Sequence, residues 1–173
     1  MCGEPDFCLL FWQWDAYKLL SKIKLGLNDV SVDAKFNLSG HIVQTDLFLC
    51  VSGPEEFRFM RCHYDMSGVD FLATQLNAAS PMAEAMLGER ASKNITCHAW
   101  STQTDRLIAC TDTGDILTFD FNGQFEFLLI ESPSRLQEEL NKDYLSIRCI
   151  VPHQHGFIVA GDKGSIWTYE HTH

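Results

Sequence analysis

The sequence predicts an all-β fold of repeated antiparallel strands, and three observations carry that expectation. Short apolar segments with a two-residue period follow one another along most of the chain. Gly, Asp, Asn and Pro punctuate the joints, at Asn28-Asp29, Gly53-Pro54, Thr113-Gly114, Asn122-Gly123 and Lys163-Gly164. One stretch is also written twice. TDTGDILTFDF (111–121) aligns with GDKGSIWTYEH (161–171), so that Asp112 falls on Asp162, Gly114 on Gly164, Ile116 on Ile166, Phe119 on Tyr169 and Asp120 on Glu170.

The strands follow in order. CLLFWQW (8–14) is apolar and aromatic, and KLLSKIKL (18–25) comes after a short polar break. VSVDAKFNL (30–38) alternates, with Val30, Val32, Ala34, Phe36 and Leu38 on one face. IVQTDLFLCVSG (42–53), EFRFMRCHY (56–64) and VDFLATQL (69–76) complete that group. The next group is ITCHAW (95–100), RLIACTD (106–112), DILTFDF (115–121) and QFEFLLIE (124–131). LSIRCIVPH (145–153), GFIVAGD (156–162) and SIWTYEH (165–171) end the chain. Two stretches break the rhythm. NAASPMAEAMLGERASKN (77–94) is Ala-rich, with a short helix expected over 81–87. SPSRLQEELNKDYL (132–145) spaces Leu136, Leu140 and Tyr144 four apart, which suits a short amphipathic helix. Both read as insertions between repeated units.

Groups of four strands recurring at a period of roughly 40 to 50 residues predict a β-propeller. The blades would be a fragment at about 1–27, whole blades at about 29–77 and 94–131, and a final one at 145–173 that stops after its third strand. That makes about two whole blades and two incomplete ones. The doubled stretch is then one hairpin of successive blades, turning on D-x-G, where glycine accepts a positive φ. Asp112 and Asp162 are turn residues on this reading. Looser versions stand at GEPDFCLLFWQWD and SGPEEFRFMRC. Propellers usually close with roughly four to eight blades. Residues 1–173 are therefore expected to be a fragment of one propeller domain, or a unit completed by another chain.

Composition narrows the function. At 46% hydrophobic and 21% charged, the chain falls in the soluble folded class. No apolar run approaches the roughly 18 residues of a membrane span. The start, MCGEPDFCLLFWQWD, lacks the basic leader of a signal peptide, so an intracellular protein is expected. A net charge of −10 speaks against binding nucleic acid, anionic lipid or a bare microtubule by electrostatics. The seven cysteines (2, 8, 50, 62, 97, 110 and 149) have no C-x-x-C spacing and sit mostly in apolar runs, which predicts reduced core thiols.

No catalytic, cofactor-binding or metal residue is assigned, and no cofactor is expected. His153-x-His155 and His171-x-His173 lack the third and fourth ligands of a metal site. Cys62-His63 and Cys97-His98 are neighbours on strands, so their side chains point to opposite faces and buried positions explain both. There is no G-x-S-x-G, no phosphate-cradling G-x-x-x-x-G-K-[ST] and no G-x-G-x-x-G after a strand. Trp12, Trp14 and Trp167 are read as core between blades rather than as a binding surface.

Several runs carry a family resemblance: PDFCLLFWQWDAYKLL (5–20), FRFMRCHYD (57–65), ITCHAW, ACTDTGDILTFDFNGQF (109–125) and HGFIVAGDKGSIWTYE (155–170). Over roughly 3–171 the chain resembles the cilia- and flagella-associated WD-repeat proteins of the axoneme. The resemblance implies a WD40-type propeller, although the chain lacks the long coiled coil of that family. It implies a non-catalytic scaffold of the ciliary or flagellar axoneme, found in cytoplasm and cytoskeleton, that helps assemble or position inner dynein arms. The implied partners are other axonemal proteins, inner dynein arm or tether components, with self-association as a further option. The display surfaces expected are the loops at 77–94 and 132–145. Two alternatives stay open: a generic intracellular WD-repeat adaptor, and a propeller enzyme with ionisable groups converging on its channel.

Overall fold

The computed structural model describes residues 8–25, 33–38, 46–53, 56–64, 71–76, 94–102, 106–121, 125–130 and 146–170. These form thirteen strands in four antiparallel sheets. The first sheet pairs β1 (Cys8–Gln13) with β2 (Lys18–Lys24). The second holds β3 (Asp33–Phe36), β4 (Asp46–Gly53), β5 (Glu56–Tyr64) and β6 (Phe71–Leu76). The third holds β7 (Ile95–Trp100), β8 (Arg106–Thr111), β9 (Ile116–Phe121) and β10 (Phe125–Ile130). The fourth holds β11 (Ile147–His153), β12 (Gly156–Gly161) and β13 (Ile166–Glu170). Each strand pairs with its neighbour in sequence, as expected of short strands joined by tight turns. Every strand expected from the alternation is present, with shifts of a few residues at the ends. The two expected helices and nearly all of both loop insertions lie outside the described residues.

The doubled stretch is the same hairpin in atomic detail. Gly114 has φ 85° and Gly164 φ 73°, a region where a side chain would crowd the backbone. The Thr111 N–H donates to Asp115 O (3.0 Å), and the Gly161 N–H to Ser165 O (2.9 Å). The N–H of each turn aspartate is anchored to the start of its own sheet: Asp112 to Asn94 O and Asp162 to Ser146 O. The side chains add to this. Asn94 Nδ2 donates to Asp112 Oδ2 at 2.9 Å, and Arg148 Nε donates to Asp162 Oδ1 at 3.0 Å. Both aspartates are thus turn and tether residues.

The first strand of each of these two sheets also repeats a bulge. The register shifts between Ile95 and Cys97, and again between Ile147 and Cys149. The extra residue reverses the facing of everything before it. Ile95 therefore shares a side with His98 and Trp100, while Cys97 and Ala99 face the other way.

Three apolar seams join the sheets face to face. Leu9, Phe11 and Leu25 meet Leu49, Val51, Met60 and Cys62 between the first and second sheets. Phe57 and Phe59 meet Trp100, Leu107 and Phe119 between the second and third, with ring centroids 5.1–6.3 Å apart at inclined angles. Cys97, Ile108 and Ile116 meet Ile150, Phe157 and Val159 between the third and fourth. Each fully buried side chain of this kind is worth roughly 1.5–3 kcal/mol.

The strands β3, β7 and β11, the first of each of the last three sheets, lie against one another in turn. Thr96 Oγ1 donates to Ile147 O and Thr102 Oγ1 to His153 O, each 51 residues on. A constant offset from end to end means that β7 and β11 run alongside in one direction.

Two expectations need correction. Trp12 and Trp14 are not core: they are 56% and 85% exposed. Alternation puts Leu9 and Phe11 toward the second sheet and Trp12 on the opposite face, across from Leu19, and Trp14 sits in the turn after β1. Trp167 does pack at the edge of the third seam. Cys62-His63 is only half buried, since Cys62 is in the core and His63 is exposed.

Candidate functional site

The described residues place one polar cluster inside an otherwise apolar seam, where β3 and β4 meet β7. His98 is wholly buried because its strand faces the second sheet at that position. The Ser52 hydroxyl, on β4, lies 2.7 Å from His98 Nδ1. A carboxylate oxygen of Asp33, on β3, stands 3.9 Å from the same nitrogen. Lys35 pairs with Asp33 at 2.9 Å and donates to the His98 carbonyl at 2.7 Å. Trp100 returns the contact, its Nε1 donating to the Lys35 carbonyl at 2.8 Å. Five side chains and two carbonyls thus stitch β3 and β4 to β7 across the seam.

Burial pushes the His98 pKa down to about 4, against the pull of the Asp33 charge. The ring is therefore neutral at pH 7. The trio Asp33, His98 and Ser52 is not arranged as a charge relay, which needs the acid and the hydroxyl on opposite ring nitrogens. Here both approach Nδ1, while Nε2 is buried without a partner among the described residues. Its chemistry is that of a latch.

Beside the latch an open groove of about 580 Å³ runs along the ends of β3, β7 and β11. Its walls include Phe36, Leu38, Trp100, Ile150 and Pro152, with Lys35 at the rim. β3 shapes it by facing outward. Ala34, Phe36 and Leu38 do share a face, but that face is exposed, whereas Asn37 is buried. Leu38 is 83% exposed. The groove therefore offers apolar surface backed by a hydrogen-bonded seam.

The remaining sequence candidates are not brought together. His153 and His155 flank the turn after β11, where the His155 N–H donates to His153 Nδ1 at 3.2 Å. His171 and His173 lie outside the described residues. Cys97 and His98 do point to opposite faces, one toward the fourth sheet and one toward the second. Sequence reasoning missed the latch because its members come from segments 46 to 65 residues apart. The one local signal is a histidine between Cys97 and Ala99 in an otherwise apolar strand. Among the described residues, no three His, Cys, Asp or Glu side chains cluster to hold a metal ion. No helix there is long and apolar enough to cross a membrane.

Compared with known proteins, the chain matches no family model, no curated protein and no solved structure.

Proposed function

We propose that this chain is part of a WD-type β-propeller acting as a non-catalytic protein-interaction scaffold, and that its setting is the ciliary or flagellar axoneme. The observation that carries the scaffold reading is the groove. Phe36 at the end of β3 and Leu38 just after it lie on an open surface, while the polar groups nearby are engaged across the seam. Apolar surface on a hydrogen-bonded support is what a partner's side chains bind. The propeller reading is supported by sheets stacked face to face and by first strands running side by side. The axonemal setting rests on the sequence runs at 5–20, 57–65, 95–100, 109–125 and 155–170 alone.

The test is to express the tagged chain in ciliated cells beside Leu38→Asp, which alters an exposed groove position without touching the core. The wild-type chain is expected along the axoneme and in extracts with inner dynein arm components, and Leu38→Asp is expected to lose both while keeping its circular dichroism. Cytoplasmic puncta for the wild type would favour a generic adaptor in another complex. Full retention by Leu38→Asp would remove the groove from the account.

A further inference from the structure

The seam between the third and fourth sheets contains two cysteines directly opposite each other. Cys97 on β7 is the cross-strand partner of Cys110 on β8. The Ser101 N–H donates to Arg106 O, and stepping back by two residues makes 99 with 108 and 97 with 110 the hydrogen-bonded positions. Such pairs hold their Cα atoms about 5.5 Å apart, inside the range of roughly 4.4–6.8 Å that a disulfide spans, but their Cβ atoms at the wide end of about 4.5–5.5 Å, so the bond closes by drawing the strands together and is strained and easily reduced. Both thiols lie in one buried cluster, where Cys97 keeps 7% of its surface exposed and Cys110 none.

The two sulfurs also differ in character. A hydrogen bond from Cys110 holds the Cys97 thiol below its ordinary pKa against the effect of burial. The Cys110 thiol is raised by that same bond and by burial. Of the other described thiols, Cys149 lies near enough for its charge to act on Cys110, and Cys8, Cys50 and Cys62 pair in register with no other cysteine. Cys62 pairs in register with Leu47, and burial pushes its pKa to about 12. Cys50 faces Phe59 and is raised by burial as well. Cys149, at the repeat position of Cys97, faces Ala160.

We propose that Cys97 and Cys110 are an oxidisable pair that closes into a disulfide across β7 and β8 when the chain meets hydrogen peroxide. The Cys97 thiolate attacks one peroxide oxygen, breaking the O–O bond; the departing hydroxide takes up a proton, giving a sulfenic acid and one water. The Cys110 thiolate then attacks that sulfur, and its released proton leaves with the hydroxyl as a second water. Two thiols are oxidised by two electrons, and one peroxide is reduced to two waters. The new bond would sit on the strand that carries the latch on its other side.

The test treats the native full chain with a small excess of hydrogen peroxide, then denatures it and counts thiols. Seven are expected to fall to five and to return to seven with dithiothreitol. Tryptic peptides 94–106 and 107–135 are expected as one disulfide-linked species, a result that needs no variant. Cys97→Ala and Cys110→Ala should each abolish the linked species, and Cys149→Ala should leave it. A disulfide mapped to any other pair would overturn the proposal. So would oxidation confined to Cys149, or seven thiols remaining.

Discussion

Two faces of this molecule have nearly the same composition and opposite surroundings. In the third sheet Cys97, Ala99, Ile108, Cys110 and Ile116 are all buried against the fourth sheet. Their repeat equivalents in the fourth sheet, 50 to 52 residues on, are Cys149, Val151, Ile158, Ala160 and Ile166. There Val151 is 53% exposed, Ile158 37% and Ile166 68%. Turns, bulge and pairing are the same in both. What differs is the neighbour: the third sheet has another sheet against this face, and the fourth sheet has none among the described residues. In this architecture a unit's fold is set by its own strands and turns, and the burial of each face is conferred by the next unit.

The sharpest way to break that comparison is a charge on each face. Ile108→Asp puts a carboxylate without a partner into the third seam and should cost about 3 kcal/mol or more. Ile158→Asp, in the equivalent place, should cost less than about 1 kcal/mol. Urea midpoints measured at one protein concentration check both. Next comes the latch, which distinguishes the second seam from the third. His98 has a folded pKa of about 4, below its ordinary 6.5. The unfolded chain therefore binds the proton more readily, and stability falls as pH is lowered from about 6.5 toward 4. The loss should approach about 3 kcal/mol, and His98→Gln should flatten it. Stability curves at pH 7, 5.5 and 4.5 read this directly. The smallest effect tests what the two units share. Gly114→Ala and Gly164→Ala should each cost about 1 kcal/mol, and by similar amounts, because both strain the same positive-φ turn. No atom beyond its chain neighbours lies within 4 Å of the added Gly164 Cβ, so the cost there is that of the positive φ alone.

Much of this was legible in the sequence because it is local. Two-residue alternation located the strands, and D-x-G located the turns at Gly114 and Gly164, since both are set by residues a few positions apart. The readings that failed depend on neighbours distant in sequence. Trp12 has the same strand chemistry as Phe11, yet only Phe11 faces another sheet. Phe36 and Leu38 alternate correctly, but nothing local says that their side is the open one. The latch of Asp33, Lys35, Ser52 and His98 needs β3, β4 and β7 assembled before its members meet.

The most direct test of the account is one pair of truncations at one repeat position, Ile116→Ala and Ile166→Ala. Ile116 is fully buried and Ile166 is 68% exposed. The account predicts a loss of about 2–5 kcal/mol for Ile116→Ala and no more than about 0.5 kcal/mol for Ile166→Ala, by equilibrium unfolding. Equal losses at the two positions would contradict it, because the two faces would then be covered alike.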